Sequence, residues 1–151
     1  MGKTALALGL ADHVARVLKK GVAFFSLEMG SEQLMIRWLS MVSGVDGGKL
    51  RRGDVLRGDI PQKLMGAVEE ISPAKMRIFD NPNTNPASIR AQCLEMMREG
   101  ELAMVVVDYV QLMASTNKEE HRRAEVDRIS RDLKLLAKEL EIPIVALSQL
   151  S

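Results

Sequence analysis

Short, continuous apolar runs alternate along this chain with longer stretches in which apolar residues return every three or four positions. The short runs are Val22-Ala23-Phe24-Phe25-Ser26-Leu27, Met76-Arg77-Ile78-Phe79, Ala103-Met104-Val105-Val106-Val107 and residues 142–147. Each is too short for a helix and is bounded by Gly, Pro or charge, which predicts strands, with those at 22–27 and 103–107 buried on both faces. Between them, Leu6, Leu10, Val14 and Val17 predict a helix from Lys3 to about Leu18, packed through that stripe, with Lys19-Lys20-Gly21 as basic last turn and glycine stop. Ser31 is expected to cap a second helix, Glu32 to about Ser43, with Leu34, Ile36, Leu39 and Met41 inward. Residues 44–60 hold Gly44, Gly47, Gly48, Gly53 and Gly58 among Lys49, Arg51, Arg52 and Arg57, and read as a loose basic connector.

Pro61 suits the first turn of a helix to about Ile71, and Asn85-Pro86 supplies the cap and first residue of another to about Glu99. A polar stretch from Ala114 to Arg123 leads into a helix with Val126, Ile129, Leu133, Leu136 and Leu140 on one side. Strands that alternate with helices, with no hairpin turn between them, require right-handed crossovers. The fold class is therefore α/β, a parallel sheet with helices on both faces.

Composition narrows the picture. The 151 residues are 46% apolar, enough for one globular core, and Lys+Arg 21 against Asp+Glu 20 leaves a net charge of +1. No overall field marks the chain for nucleic acid or membrane. A single cysteine, Cys93, excludes an internal disulfide, and amid Ile89 and Leu94 it reads as a packed side chain. With only His13 and His121 beside it, no zinc-type cluster forms, so any metal is an oxygen-seeking one. Aromatics at 3% and Met at 10 point to a Leu/Met-packed interior rather than a base-stacking surface. With no apolar run of membrane-spanning length and no cleavable apolar leader, cytoplasmic residence is the expectation.

The candidate chemistry starts at Gly2-Lys3-Thr4, which matches the second half of the phosphate loop G-x-x-x-x-G-K-[ST] where it opens a helix. Helix N-terminal N–H groups point at an anion, a lysine reaches the β/γ-phosphates, and a Thr hydroxyl can ligate Mg²⁺. The strands end in Glu28, Asp80, Asp108 and Gln149, and parallel sheets bind ligands at that edge. Asp108, closing the most apolar run, suits the metal. Glu28 suits activation of an attacking water, with Asp80 as runner-up. Gln149, which cannot act as acid or base, suits sensing of the γ-phosphate. Residues 115–123 read equally as a channel loop, with Lys118, Arg122 and Arg123 on DNA phosphates, and as an exposed linker in which Glu119 and Glu120 offset those charges.

Phe25-Ser26-Leu27-Glu28-Met29, Ser31 to Met35 with Arg37, Val107-Asp108-Tyr109-Val110-Gln111-Leu112-Met113, Leu135 to Leu140 and Pro143 to Leu150 resemble the C-terminal motor domain of DnaB-type replicative DNA helicases. The resemblance spans nearly the whole chain. It implies a RecA-like P-loop NTPase that uses ATP and Mg²⁺, assembles as a homo-hexamer, hydrolyses ATP at subunit interfaces and moves along single-stranded DNA. Residue by residue it gives Gly2, Lys3 and Thr4 as the phosphate loop, Asp108 as the metal-site aspartate, Glu28 as the catalytic glutamate and Gln149 as the sensor. Arg37 falls at a recurrent arginine of open role. Primase and a helicase loader are implied partners. Against the family pattern the chain opens inside the phosphate loop and stops after the sensor strand. Residues 1–151 are thus expected to form a partial domain, truncated at both ends, lacking the arginine finger and main DNA-binding loops and inactive in isolation. A RecA-like ATP-binding switch, a recombinase or clock-type ATPase, and a fragment without activity stay open as other readings.

Overall fold

The computed structural model describes residues 2–114 and 119–149. Four parallel strands, β1 (Gly21–Ser26), β2 (Met76–Phe79), β3 (Leu102–Asp108) and β4 (Ile144–Ala146), form one sheet in the order β2-β1-β3-β4. Side chains alternate across it, as the pleat requires. Val22, Phe24, Met104 and Val106 face a layer made by α1 (Lys3–Asp12), α2 (Ser31–Ser43) and α4 (Ile60–Ile71). Ala23, Phe25, Val105 and Val107 face α5 (Pro86–Glu99) and α6 (Glu119–Leu140). The sheet runs from β1 to β2 through the first layer and on to β3 and β4 through the second. The direction of winding therefore reverses between β1 and β3, and such a reversal opens a crevice at the carboxyl ends of the two strands.

Several expected elements sit where the pattern puts them. β2 spans Met76–Phe79, and α5 begins at Pro86 with Asn85 as its cap, closed by a reciprocal pair in which the Ser88 N–H donates to Asn85 Oδ1 and the Ser88 hydroxyl accepts from the Asn85 N–H, both at 2.9 Å. In α6, Ile129, Leu133, Leu136 and Leu140 are buried.

Others differ. On α1 and the wider π-helical turn that continues it, His13–Val17, the buried residues are Ala7, Leu8, Ala11, Asp12 and Ala15, while Leu6, Leu10 and Val17 are exposed. The helix is apolar almost all round, so periodicity could not choose its face; the small alanines let it lie close on the sheet. Gly21 is not a helix stop but the first residue of β1, where a Cβ would stand 2.0 Å from the Glu101 carbonyl oxygen. The turn before it is made by Lys19 at φ +57°. In α2 the buried residues are Leu34 and Trp38, whereas Met41 is exposed. The basic connector contains a helix, α3 (Gly47–Arg52), capped by Asp46, whose side chain accepts the Lys49 N–H at 3.0 Å. Arg122 and Arg123 belong to the first turns of α6 rather than to a linker, and Lys118 lies outside the described residues.

Cys93 is fully buried between α5 and the sheet, and desolvation pushes its thiol up to about 11. At pH 8 the folded chain should leave an aromatic disulfide reagent unreacted while the urea-unfolded chain consumes it. Rapid reaction without unfolding would mean that α5 does not seal this face.

Candidate functional site

The crevice between β1 and β3 holds a cleft of about 680 Å³ lined by Gly2, Lys3, Thr4, Glu28, Arg37, Asp108, Tyr109 and Gln149, among others. Gly2, at φ +86°, turns the chain into α1 through backbone space that side chains rarely enter, and its carbonyl accepts the Leu6 N–H at 2.9 Å. The first N–H groups of α1 therefore face the cleft end of the sheet.

β3 delivers Asp108 to the opposite wall. The Thr4 hydroxyl donates to Asp108 Oδ2 at 2.7 Å, joining residues 104 positions apart. Asp108 is only 2% exposed and has no ion-pair partner among the described residues. Thr4 and Asp108 together present a hydroxyl and a carboxylate, an oxygen pair that suits a hard divalent cation. The described residues contain no cluster of three or more His, Cys, Asp or Glu that could cage a metal alone.

Glu28 is carried by the turn after β1. The Leu27 N–H donates to the Asp108 carbonyl at 2.8 Å and the Ser26 hydroxyl to the Met29 carbonyl at 2.7 Å, so the turn is tied to the strand that bears Asp108. Glu28 is exposed into the cleft, open to a water molecule. Lys3 lies on the far side, its ammonium donating to the Ser148 carbonyl at 2.7 Å and standing 5.9 Å from the centre of the Tyr109 ring. Gln149 follows β4 into the same cleft.

Asp80 is at this edge of the sheet but does not line the cleft. Its Oδ2 accepts the N–H of Ser31 at 2.8 Å, and the backbone and side-chain bonds from Ser31 hold the carboxyl below its ordinary range. It does the capping expected of Ser31, because Gly30 at the N-cap position has no side chain to offer. A carboxylate committed to a helix end is poorly placed to activate water. Arg37 of α2 reaches the cleft; Arg122 and Arg123 are exposed on α6 and do not line it.

Sequence reasoning missed four participants. Tyr109 and Ser148 line the cleft, and Gln111 bonds to the Ser148–Gln149 segment. The fourth is a side-chain network that ties α1 to α2 and α4, buried at its Asp12–Trp38 end and open at Glu70. Asp12 on α1 accepts the Trp38 indole N–H at 2.7 Å and two bonds from Arg16, each at 2.8 Å, and Arg16 also donates to Glu70 of α4 at 2.6 Å. Trp38 follows Arg37 in α2, so the Trp38–Asp12 bond ties the helix that carries Arg37 to α1. The one available signal was a charged residue, Asp12, closing a helix that is apolar from Ala5 to Ala11.

Comparison with known proteins adds an independent line. The whole chain, residues 1–151, matches the family model described as DnaB-like helicase C terminal domain. It is 43% identical over 152 residues to the replicative DNA helicase DnaB of Geobacillus stearothermophilus, covering all of this chain and 33% of that protein. It is 41% identical over 152 residues to the replicative DNA helicase DnaC of Bacillus subtilis, again covering all of this chain and 33% of that protein. Among solved structures it is similar to a DnaB-like replicative helicase studied with its interactions with primase, with a TM-score of 0.89, 31% identity, all of this chain covered and 36% of that one. The chain thus spans about a third of the length of the curated relatives it matches.

Proposed function

The chain belongs to the family of DnaB-like helicase C-terminal domains, and from that premise we propose that it is the nucleotide-hydrolysing core of a replicative helicase motor. In this reading it binds ATP in the β1/β3 crevice. The whole protein, a homo-hexameric ring, couples hydrolysis at subunit interfaces to translocation on single-stranded DNA and duplex unwinding. The observation that carries the reading is the meeting of Lys3, Thr4, Glu28, Asp108 and Gln149, from four separate segments of the chain, in one cleft.

Lys3 and the N–H groups of the first turn of α1 hold the β- and γ-phosphates. Thr4 and Asp108 would hold Mg²⁺, which when bound would offset the phosphate charge. Glu28 takes a proton from the water that attacks the γ-phosphorus, the bond to the bridging oxygen breaks, and ADP and phosphate result. Gln149 hydrogen-bonds the γ-phosphate and reports its presence. Arg37 adds a positive charge to the same cleft. Arg122 and Arg123, with Lys118, are assigned to the phosphates of single-stranded DNA. A primase and a helicase loader are the partners this reading expects, and the cytoplasm is its compartment. No helix among the described residues is long and apolar enough to cross a membrane.

The test is Mg²⁺-dependent binding of a fluorescent ATP analogue. Asp108→Asn removes the charge that offsets the metal and should weaken Mg²⁺-dependent binding roughly 10- to 100-fold, while binding measured without Mg²⁺ changes little. Unchanged Mg²⁺ affinity with only the hydrolytic step slowed would reassign Asp108 from metal to catalysis. Absence of nucleotide binding by the parent full-length protein would overturn the reading.

A further inference from the structure

Gln111 lies in the single helical turn Val110–Met113 after β3, and the chemistry above leaves it without a task. Its carboxamide makes a closed clasp on the end of β4. Oε1 accepts the Gln149 N–H at 3.2 Å, while Nε2 donates to the Gln149 carbonyl at 2.9 Å and to the Ser148 hydroxyl at 2.7 Å. The neighbouring main-chain bonds are Leu147 N–H to the Val107 carbonyl at 2.9 Å and Val110 N–H to the Leu147 carbonyl at 3.0 Å. Beyond them the chain after β3 has turned into the Val110–Met113 helix, and it is the Gln111 side chain that meets the Gln149 peptide groups. A primary amide carries the same donor and acceptor as a peptide unit, so Gln111 extends the β3–β4 pairing by one rung.

That rung falls at the cleft. Ser148 is the residue whose carbonyl receives Lys3, and Gln149 is a lining residue. From this geometry we infer that Gln111 is a positioning residue for nucleotide hydrolysis, fixing the Ser148–Gln149 backbone so that Gln149 faces the γ-phosphate. The inference rests on the function proposed above. Gln111 itself is not a lining residue of the cleft and belongs to the turn that leads from β3 towards α6. Its loss should therefore act on the catalytic step more than on affinity, and a misplacement of about 1 Å near a reacting group is worth up to 100-fold in rate.

The experiment compares Gln111→Leu with the parent in the full-length protein, measuring nucleotide Kd, steady-state kcat with and without single-stranded DNA, thermal unfolding, and hydrogen exchange at the Gln149 amide. The leucine is similar in size and removes all three bonds. The expected result is a Kd within about twofold, a kcat lowered roughly 10- to 100-fold, faster exchange at Gln149 and a nearly unchanged Tm. Gln111→Glu keeps the acceptor for the Gln149 N–H but sets a carboxylate against the Gln149 carbonyl, and should fall at least as far. Unchanged exchange at Gln149 overturns the clasp. A parent-like kcat, or equal losses in kcat and affinity with a large fall in Tm, overturns the positioning role. If the parent itself neither binds nor hydrolyses ATP, the proposed function fails along with this role, while the exchange measurement still decides whether Gln111 holds the strand end.

Discussion

Replacing Glu28 by Gln in a full-length protein carrying this chain is expected to lower the ATP turnover number by about two orders of magnitude or more, with nucleotide binding retained. The amide keeps the size and polarity of the carboxylate and loses only its capacity to take a proton. Glu28 sits on a turn whose backbone is fixed independently, through Leu27 N–H to the Asp108 carbonyl and Ser26 to Met29, so the substitution has no packing to disturb. The control is Asp80→Asn. Asp80 caps α2, so that change should lower stability slightly, through the lost charge at the helix N-terminus, and leave turnover within about twofold. Single-turnover hydrolysis by both variants separates the two acids. A Glu28→Gln enzyme with parent-like turnover, or an Asp80→Asn enzyme that is slow, would move the water-activating role to Asp80.

The second large effect is on stability. Asp12→Ala should destabilise the fold by about 3 kcal/mol, since it leaves the Arg16 guanidinium short of its main partner and the Trp38 indole N–H, in the core, without an acceptor. At this chain length that corresponds to roughly 10 °C in Tm. The pH dependence follows from the direction of the shift. Burial by itself raises the Asp12 carboxyl, but the bonds from Arg16 and Trp38 and the Arg16 charge outweigh it and hold the group below its ordinary 3.8. A depressed carboxyl contributes its stability in full above the unfolded value and loses it as pH falls through the folded one. The gap between parent and Asp12→Asn in urea unfolding should therefore be constant from neutral pH to about pH 5 and narrow progressively below about pH 4, as pH falls towards and through the depressed folded value. A gap that showed no narrowing at all as the pH was lowered below the ordinary carboxyl range would mean that packing, not charge, is what Asp12 supplies. Because Trp38 adjoins Arg37, loosening this network should also weaken the presentation of Arg37 to the cleft.

Much of this architecture was legible in residue order. The runs at 22–27 and 103–107 read as buried strands and that at 76–79 as a short strand, being too short for helices and too apolar for loops, and strands alternating with helices leave a parallel sheet as the only economical pairing. Asn85-Pro86 marked the start of α5 because capping is chemistry between residues three apart, which a sequence displays directly. The cleft residues Lys3, Thr4, Glu28, Asp108 and Gln149 were legible for the same reason: each sits at a strand end or helix start, and a parallel sheet gathers those points at one edge.

What residue order could not decide were matters of partnership across the fold. Alternation showed that α1 is apolar but not which face meets the sheet; close approach through Ala7, Ala11 and Ala15 settled that and left Leu6 and Leu10 exposed. Asp80 and Glu28 are equivalent as acids at strand ends, and only the N–H of Ser31, 49 residues from Asp80 in sequence, distinguishes a cap from a free carboxylate. Gln111 and Asp12 acquire meaning from Gln149 and Trp38, partners 38 and 26 residues away. Hydrogen bonds of that reach depend on where the sheet order β2-β1-β3-β4 sets the chain down. Local sequence determined the elements and the edge at which chemistry collects, because propensity and capping act over a few residues. Tertiary packing decided which acid stays free to react, because desolvation and long-range hydrogen bonding exist only once the elements have met.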